Sequence, residues 1–241
     1  MSLIPKVIYQ TWKTKELDEN IKRIRNNIQN LNPYYKMVLF DDEDMNTWIK
    51  DTFRDNDEII YNTYKLLKIG AAKADFWRYL ILYMNGGIYL DIDSNINKPL
   101  DLLINNDDQA IVSREKKSGN NYFIQWCLFF SPKHPILLKC INTCISNINN
   151  KITTWLPNLT GPAVFTNSVN YILKKKYCKN IKINLFHFSD DWLNTNFNDN
   201  NCKCRFFGSD YNDYCSYTHE FKHILLNSSI YWKDDPDIFN E

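Results

Sequence analysis

The 241-residue chain is poor in glycine, with only 6, and carries no marked excess of charge of either sign. Its 29 lysine and arginine residues nearly balance 28 aspartate and glutamate residues, which leaves a net charge of +1. A surface that binds nucleic acid needs an excess of cationic side chains to displace counterions from the phosphates. The balance therefore argues against nucleic acid as a partner and leaves small or anionic ligands open.

Long apolar runs are also lacking. No stretch approaches the roughly 20 apolar residues of a membrane-spanning helix, and the opening MSLIPKVIYQTWK contains no apolar core of a signal peptide. The 7 cysteines are an odd number in a chain large enough to fold without disulfides, which favours reduced thiols. We therefore expect a cytoplasmic protein with no transmembrane segment.

What the chain does contain is typical of a globular α/β protein. Hydrophobic residues make up 44% and charged residues 24%, and the length fits one large domain over residues 1–241. Short apolar runs alternate with helical patterns, which predicts a Rossmann-like, mostly parallel sheet flanked by helices. Beyond about residue 190 the periodicity weakens, so we expect an irregular C-terminal region.

Individual elements can be predicted from periodicity and capping residues. The predicted strands are 6–9, 36–40, 88–90, 124–130 and a late strand at 223–232, and the predicted helices are 18–31, 41–49, 59–85 and 135–148.

The most informative stretch is AAKADFWRYLILYMNGGIYLDIDSN, residues 71–95. Asp75 and Arg78 are three residues apart on a predicted helix, so they can form an ion pair or jointly face a polar ligand. The adjacent glycines reverse the chain, and the strand that follows ends at Asp91 and Asp93. Ligands of open α/β sheets bind at the carboxyl ends of the strands.

Asp91 and Asp93 stand two positions apart, so an extended backbone would point both carboxylates to the same side. Two nearby carboxylates repel each other unless a cation lies beside them, and Mg²⁺ or Mn²⁺ suits such an oxygen pair. Two plainer interpretations compete with this one. An isolated D-x-D often starts a solvated turn, and Asp75 with Arg78 could be a surface salt bridge worth under about 1 kcal/mol.

The block A-x-K-A-D-x-x-R-Y-x-x-L-Y-x-x-G-G-I-Y-L-D-x-D resembles the DXD region of glycosyltransferase family 32. These retaining transferases are related to the yeast initiating mannosyltransferase and distantly to the glucosylating domains of large clostridial toxins. Residues 4–12 and 32–42 resemble the first two strands of the family, residues 131–135 a segment before a helix, and residues 160–162 its TGP element. The resemblance covers most of residues 4–175.

The resemblance implies a GT-A fold, a UDP- or GDP-hexose donor and Mn²⁺ or Mg²⁺. It makes Asp93 the direct metal ligand, and Asp91 a residue that holds the ribose or a metal-bound water. It assigns Asp75 and Arg78 to the hydroxyls of the donor sugar. About residues 1–100 would form the nucleotide-sugar half, and about 101–241 the acceptor half with a closing segment.

The resemblance further implies that Gln10, Thr11 and Trp12 border the nucleobase. Trp12 could stack on the base, or it could be a core aromatic. The family has a C-terminal His and a Ser-Trp pair over the metal and phosphate. The residues available for these roles here are His223, Ser229 and Trp232, although two residues separate the serine from the tryptophan, and a usual Asn is replaced around 125–127.

Together these features predict a metal-dependent retaining glycosyltransferase that moves a hexose to a hydroxyl of a glycan, protein or lipid. Without a convincing covalent nucleophile, we expect same-face attack assisted by the leaving phosphate. The alternatives are a haloacid dehalogenase-like phosphatase, although Asn95 stands where that family wants Thr or Val, and a degenerate sugar-nucleotide or glycan-binding module. A zinc site is a further alternative, formed by Cys202, Cys204, Cys215, His219 and His223. Cys140 and Cys144 are expected in the core.

Overall fold

The computed structural model of the chain describes residues 2–113, 122–174, 204–207, 215–217 and 239. The late strand expected at 223–232 lies outside these residues, as does most of the C-terminal region expected to be irregular. Among the helices of the described residues, none combines the length and the apolar character that crossing a bilayer requires.

A six-stranded sheet forms the centre of the molecule. Its strands follow the order β2-β1-β3-β6-β5-β7. They are β1 (Val7–Thr11), β2 (Lys36–Phe40), β3 (Gly87–Leu90), β5 (Ala110–Ser113), β6 (Cys127–Phe130) and β7 (Cys204–Phe207). β1 pairs in parallel with β2 and β3, and β5 in parallel with β7, whereas β6 runs antiparallel to β3 and β5. The sheet is mostly parallel, which confirms the predicted fold class.

Helices and a small second sheet complete the described fold. The helices are α1 (Glu19–Leu31), α2 (Asp42–Phe53), α3 (Glu58–Leu66), α4 (Gly70–Asn85), α5 (Pro135–Asn149), α6 (Leu156–Leu159) and α7 (Pro162–Lys174). β4 (Ser94–Ile96) pairs antiparallel with β8 (Cys215–Tyr217). Asp18 and Asp41 cap α1 and α2, with Asp41 in a capping box, which confirms the helix starts expected from these residues.

The single helix predicted over residues 59–85 is wrong, because the structure has two helices there. α3 ends at Leu66, and Leu67 and Ile69 have extended backbone before α4 begins at Gly70. Leu67 instead forms an isolated antiparallel bridge with Phe239. Apolar spacing continues through the break, so periodicity alone could not reveal it. The predicted strand at 124–130 is also shorter, since β6 starts at Cys127.

The glycine pair after α4 lets the helix and β3 lie tightly against β1. Gly86 has a φ of +65°, and a Cβ there would lie 2.7 Å from Cδ of Pro132. Gly87 has a φ of +105°, and a Cβ there would lie 2.9 Å from the carbonyl oxygen of Val7. L-residues with a side chain rarely adopt either conformation, so both positions require glycine. The turn sends the chain directly from α4 into β3.

α4 is the central helix of the molecule and is buried along most of its length. Phe76, Trp77, Leu80 and Ile81 belong to the larger of two core clusters. The helix packs on α5, whose Cys140 and Cys144 are buried as the sequence predicted. Because its surroundings are apolar, any charged side chain on α4 must be satisfied by specific partners.

Candidate active site

α4 presents a buried ion pair at its N-terminal half. Nη2 of Arg78 lies 3.0 Å from Oδ1 of Asp75, and the two side chains are only 8% and 13% exposed. A surface salt bridge would be far more exposed and would contribute little. The plainer interpretation of this pair is therefore wrong, because the two groups are held in a low-dielectric setting.

Arg78 also reaches the end of β3. The same Nη2 lies 3.3 Å from Oδ1 of Asp91, and Nη1 donates to the carbonyl of Gln125 at 3.0 Å. The guanidinium stacks over the ring of Tyr89, 4.4 Å from its centroid. The glycine turn folds β3 back along α4, and this brings Asp75, Arg78 and Asp91 together as one cluster.

The carboxylate of Asp75 is hydrogen-bonded by two segments from later in the chain. Nε2 of Gln125 donates to Oδ1 at 2.7 Å, and Oγ1 of Thr160 donates to Oδ2 at 3.1 Å. Burial raises the pKa of Asp75 to about 6, with Arg78 opposing the rise and Asp91 adding to it. With both carboxyls ionised, the cluster of Asp75, Arg78 and Asp91 carries one net negative charge.

Asp91 and Asp93 are arranged differently from the prediction. The N–H of Ser94 donates to the carbonyl of Asp91 at 3.0 Å, so residues 91–94 form a turn and the backbone is not extended. The expectation that strand alternation puts both carboxylates on one side is therefore wrong. The Asp91 side chain is 28% exposed, whereas Asp93 is 6% exposed within the turn.

The two carboxylates are the type of oxygen ligand that a divalent cation binds. Within the described residues, no group of three His, Cys, Asp or Glu side chains is placed to hold a metal. Mg²⁺, however, is commonly bound by one or two carboxylates together with substrate phosphates and water. The negative charge of the cluster favours a cation beside it. Asp91 and Asp93 are thus candidate oxygen ligands of a hard divalent ion, together with substrate oxygens.

The residues expected near the base lie at the carboxyl end of β1, beside the cluster. Gln10 is fully buried, accepts a hydrogen bond from Arg25 and donates to the carbonyl of Asp91 at 3.5 Å. Oγ1 of Thr11 lies 3.0 Å from the hydroxyl of Tyr89. Trp12 is half-buried against the second core cluster. Gln10 and Thr11 therefore hydrogen-bond residues of β3 and its carboxyl end, while the side chain of Trp12 is partly exposed.

A cavity of about 280 Å³ opens beside the cluster. Asp75, Arg78, Asp91 and Gln125 form its polar wall, and its apolar wall is formed by Phe123, Ile124, Trp126, Leu156, Pro157 and Pro162. This combination of an apolar lining and a few convergent polar groups is typical of small-molecule sites.

Sequence reasoning missed two residues of this site. Gln125 was noted only as a departure from a family pattern, and Thr160 only as the start of a TGP element, without a role for either. Both reach Asp75 across long stretches of chain, so no local spacing could have paired them.

Several expected residues cannot be placed. His223, Ser229 and Trp232 lie outside the described residues, and so do Cys202 and His219 of the alternative zinc set. Cys204 and Cys215 begin β7 and β8. The closing segment and the zinc alternative stay predictions.

Comparison with known proteins gives a consistent result. Residues 18–110 match the family model described as a glycosyltransferase sugar-binding region containing a DXD motif. Inositol phosphoceramide mannosyltransferase 3 of Schizosaccharomyces pombe is 36% identical over 138 residues, covering 57% of this chain and 36% of that protein. The initiation-specific alpha-1,6-mannosyltransferase of Candida albicans is 27% identical over 206 residues, covering 68% of this chain and 52% of that protein.

The chain thus spans between about a third and a half of the length of these relatives. Among solved structures, the PaToxG glycosyltransferase superposes with a TM-score of 0.56 at 22% identity, covering 72% of each chain. That likeness concerns the fold, in which a mixed, mostly parallel sheet is flanked by helices. Residues 18–110 thus resemble the sugar-binding region of glycosyltransferases that contains a DXD motif, and the described fold is of the GT-A type.

Proposed function

We propose that the protein transfers a hexosyl group from a nucleoside diphosphate sugar to a hydroxyl group, with retention of configuration and with a divalent cation. The observation that carries the proposal is the buried cluster of Asp75, Arg78 and Asp91 on the polar wall of the cavity. Two relatives are named mannosyltransferases, so GDP-mannose is the first donor to test, followed by UDP-hexoses.

Asp75 and Arg78 would hydrogen-bond the hydroxyls of the donor sugar. Both groups are oriented before the ligand arrives, because Arg78 bridges two carboxylates and Asp75 accepts bonds from neighbouring segments. Preorganised charges in a site of low dielectric constant stabilise developing charge without a reorganisation cost. Asp91 and Asp93 would hold Mg²⁺ or Mn²⁺, which neutralises the charge that grows on the leaving diphosphate.

Retention is proposed to proceed by attack on the same face. The carboxylate of Asp75 is ion-paired and hydrogen-bonded on both oxygens, which makes it a poor nucleophile. The acceptor oxygen would bond to the anomeric carbon as the bond to the phosphate oxygen breaks. The hydroxyl proton would pass to the departing diphosphate, so charge and atoms balance.

The acceptor is proposed to be a hydroxyl of a glycan, a protein or a lipid. The apolar wall formed by Phe123, Ile124 and Trp126 can cover a sugar ring or an aliphatic group. We further propose a cytoplasmic site of action, supported by the buried free thiols of Cys140 and Cys144.

Donor hydrolysis in the presence and absence of metal tests the proposal. The protein is incubated with GDP-mannose, UDP-glucose, UDP-galactose and UDP-N-acetylglucosamine, with Mn²⁺, Mg²⁺ or EDTA, and nucleotide release is measured. We expect release from at least one donor, loss with EDTA, and loss in Asp93→Asn but not in the exposed control Asp55→Asn. Metal-dependent binding without turnover would identify a degenerate binding module, and cleavage of p-nitrophenyl phosphate alone would identify a phosphatase.

A further inference from the structure

The hydrogen bonds to the Asp75 carboxylate can be counted oxygen by oxygen. An ionised carboxylate offers about four acceptor positions, two on each oxygen. Within the described part of the chain, Oδ1 accepts from Gln125 and is ion-paired with Arg78, whereas Oδ2 accepts from Thr160. Oδ2 therefore keeps one acceptor position beside the bond from Thr160. Asp75 also lines the cavity.

Thr160 is held against α4 at two points. Its hydroxyl donates to Asp75 at 3.1 Å, and its carbonyl accepts from the hydroxyl of Tyr79, also at 3.1 Å. Asp75 and Tyr79 are four residues apart and so lie on the same face of the helix, one turn from each other. The hydroxyl of Tyr79 thus holds the backbone of Thr160, and the hydroxyl of Thr160 in turn contacts Asp75.

The turn that delivers Thr160 is itself tightly constrained. A Cβ at Gly161 would lie 2.8 Å from Cα of Pro157 and 3.0 Å from the carbonyl oxygen of Leu156. Thr160 is fully buried, and its N–H donates to the Leu156 carbonyl at 3.1 Å. The position of the hydroxyl relative to α4 is therefore set by the backbone and needs no ligand to establish it.

We infer that Thr160 is a positioning residue for donor-sugar recognition. Its hydroxyl fixes the rotation of the Asp75 carboxylate, so that the remaining acceptor position on Oδ2 receives one hydroxyl of the sugar. This inference rests on the proposed function and adds to it a role for the TGP turn and the atom of Asp75, Oδ2, that receives the sugar hydroxyl. Gln125 makes a comparable contact at two points. Its side-chain amide donates to Oδ1 of Asp75, and its backbone carbonyl accepts from Arg78.

The test compares Thr160→Val, which removes the donor at nearly constant volume, with Thr160→Ser, which keeps it. Affinities for GDP and GDP-mannose, and for UDP and UDP-glucose, are measured by calorimetry with Mn²⁺. We expect Thr160→Val to weaken the affinity for the sugar nucleotide by roughly tenfold, while the affinity for the free nucleotide stays within about twofold. Thr160→Ser should restore most of the lost affinity. Thr160→Ala provides the same comparison if the valine variant does not fold.

The matched control is Thr63→Val, since Thr63 is equally buried and bonds Asn149 between α3 and α5. Thr63→Val should lower the free energy of unfolding and leave the ratio of the affinities for the sugar nucleotide and the free nucleotide unchanged. Equal losses for both ligands in Thr160→Val, or no difference between valine and serine, would overturn the positioning role while leaving glycosyl transfer intact. If the parent binds none of the sugar nucleotides, the proposed function fails and the inference fails with it.

Discussion

Arg78 connects the parts of the candidate site at the scale of single residues. Its guanidinium contacts Asp75, Asp91 and the carbonyl of Gln125, and it lies over the ring of Tyr89. Burial would lower the pKa of Arg78, but Asp91 and the other neighbouring groups raise it above its ordinary value. The residue therefore stays charged while buried. A planar group with several donors can bridge two carboxylates, whereas a lysine ammonium is a single point charge.

Replacement of Arg78 should separate recognition of the sugar from recognition of the nucleotide. We expect Arg78→Lys to weaken a sugar nucleotide by about 10- to 100-fold, since a charged hydrogen bond is worth roughly 1.5–3 kcal/mol. Affinity for the free nucleoside diphosphate should be kept. Arg78→Ala should in addition lose about 3–5 kcal/mol of stability, because it leaves buried carboxylates without their partner.

Calorimetric titration and urea unfolding measure both effects. The control is Arg54→Lys, since Arg54 pairs with Asp55 on the surface and should change neither quantity by more than about 0.5 kcal/mol. Parallel losses of affinity for the sugar nucleotide and the free nucleotide would contradict a sugar contact by Arg78.

At the scale of elements, the turn between α4 and β3 determines whether the cluster can form. Asp75 and Arg78 belong to the helix and Asp91 follows the strand, so the distance between them depends on the two residues that reverse the chain. Of the glycines in the described residues, this adjacent pair is the one with positive φ values.

Alanine at Gly86 should therefore be costly. The left-handed backbone and the contact with Pro132 each add strain, and we expect a loss of about 2 kcal/mol or more. Gly70→Ala, at the start of the same helix, meets no atom within 4 Å and should be neutral or stabilising by up to about 1 kcal/mol. Urea unfolding of the two variants gives the comparison, and equal stabilities would show that the turn tolerates a side chain.

Local chemistry was enough to predict some elements but not their connections. α1 and α2 could be predicted because Asp18 and Asp41 are strong caps and the apolar spacing of α1 is regular. The break between α3 and α4 could not, because the apolar spacing continues through it, and the bridge of Leu67 there is with Phe239, far along the chain. In the site, the spacing of Asp75 and Arg78 identified a pair, but their contacts with residues 125 and 160 are tertiary.

At the scale of the whole molecule, the two expected halves share one site. β3 pairs with β6, and α4 packs on α5, so elements on either side of residue 100 pack against each other. The polar wall of the cavity likewise combines Asp75, Arg78 and Asp91 with Gln125. The free-energy cost of burying negative charge on this wall is therefore offset by the stability of the entire fold.

The stability of the ligand-free protein should reflect that charge through its pH dependence. Asp75 has its pKa raised from 3.8 to about 6, so the folded protein keeps a proton between these values that the unfolded chain releases. The contribution of Asp75 to stability is thus present below about pH 4 and is lost as the pH rises through 6. The asparagine of Asp75→Asn does not titrate. Relative to the parent, the free energy of unfolding of this variant should therefore rise by about 1–3 kcal/mol between pH 4.5 and 7.5.

Urea unfolding of both proteins across this range measures the difference. The Asp55→Asn variant should show no such gain, because Asp55 is exposed and its pKa is lowered by Arg54. A difference between Asp75→Asn and the parent that does not vary with pH would show that Asp75 is not held with a raised pKa.

The position of Cys127 gives this fold a chemical reporter next to its binding site. Cys127 is the first residue of β6 and faces Leu90 in the register, the residue before Asp91. Cys140 and Cys144 are buried on α5. Alkylating reagents attack only a thiolate that has become accessible, so the rate of modification counts openings of the structure. Peptide-resolved labelling of the unmodified protein would therefore distinguish fraying at the end of β3 from opening of the helical layer behind it.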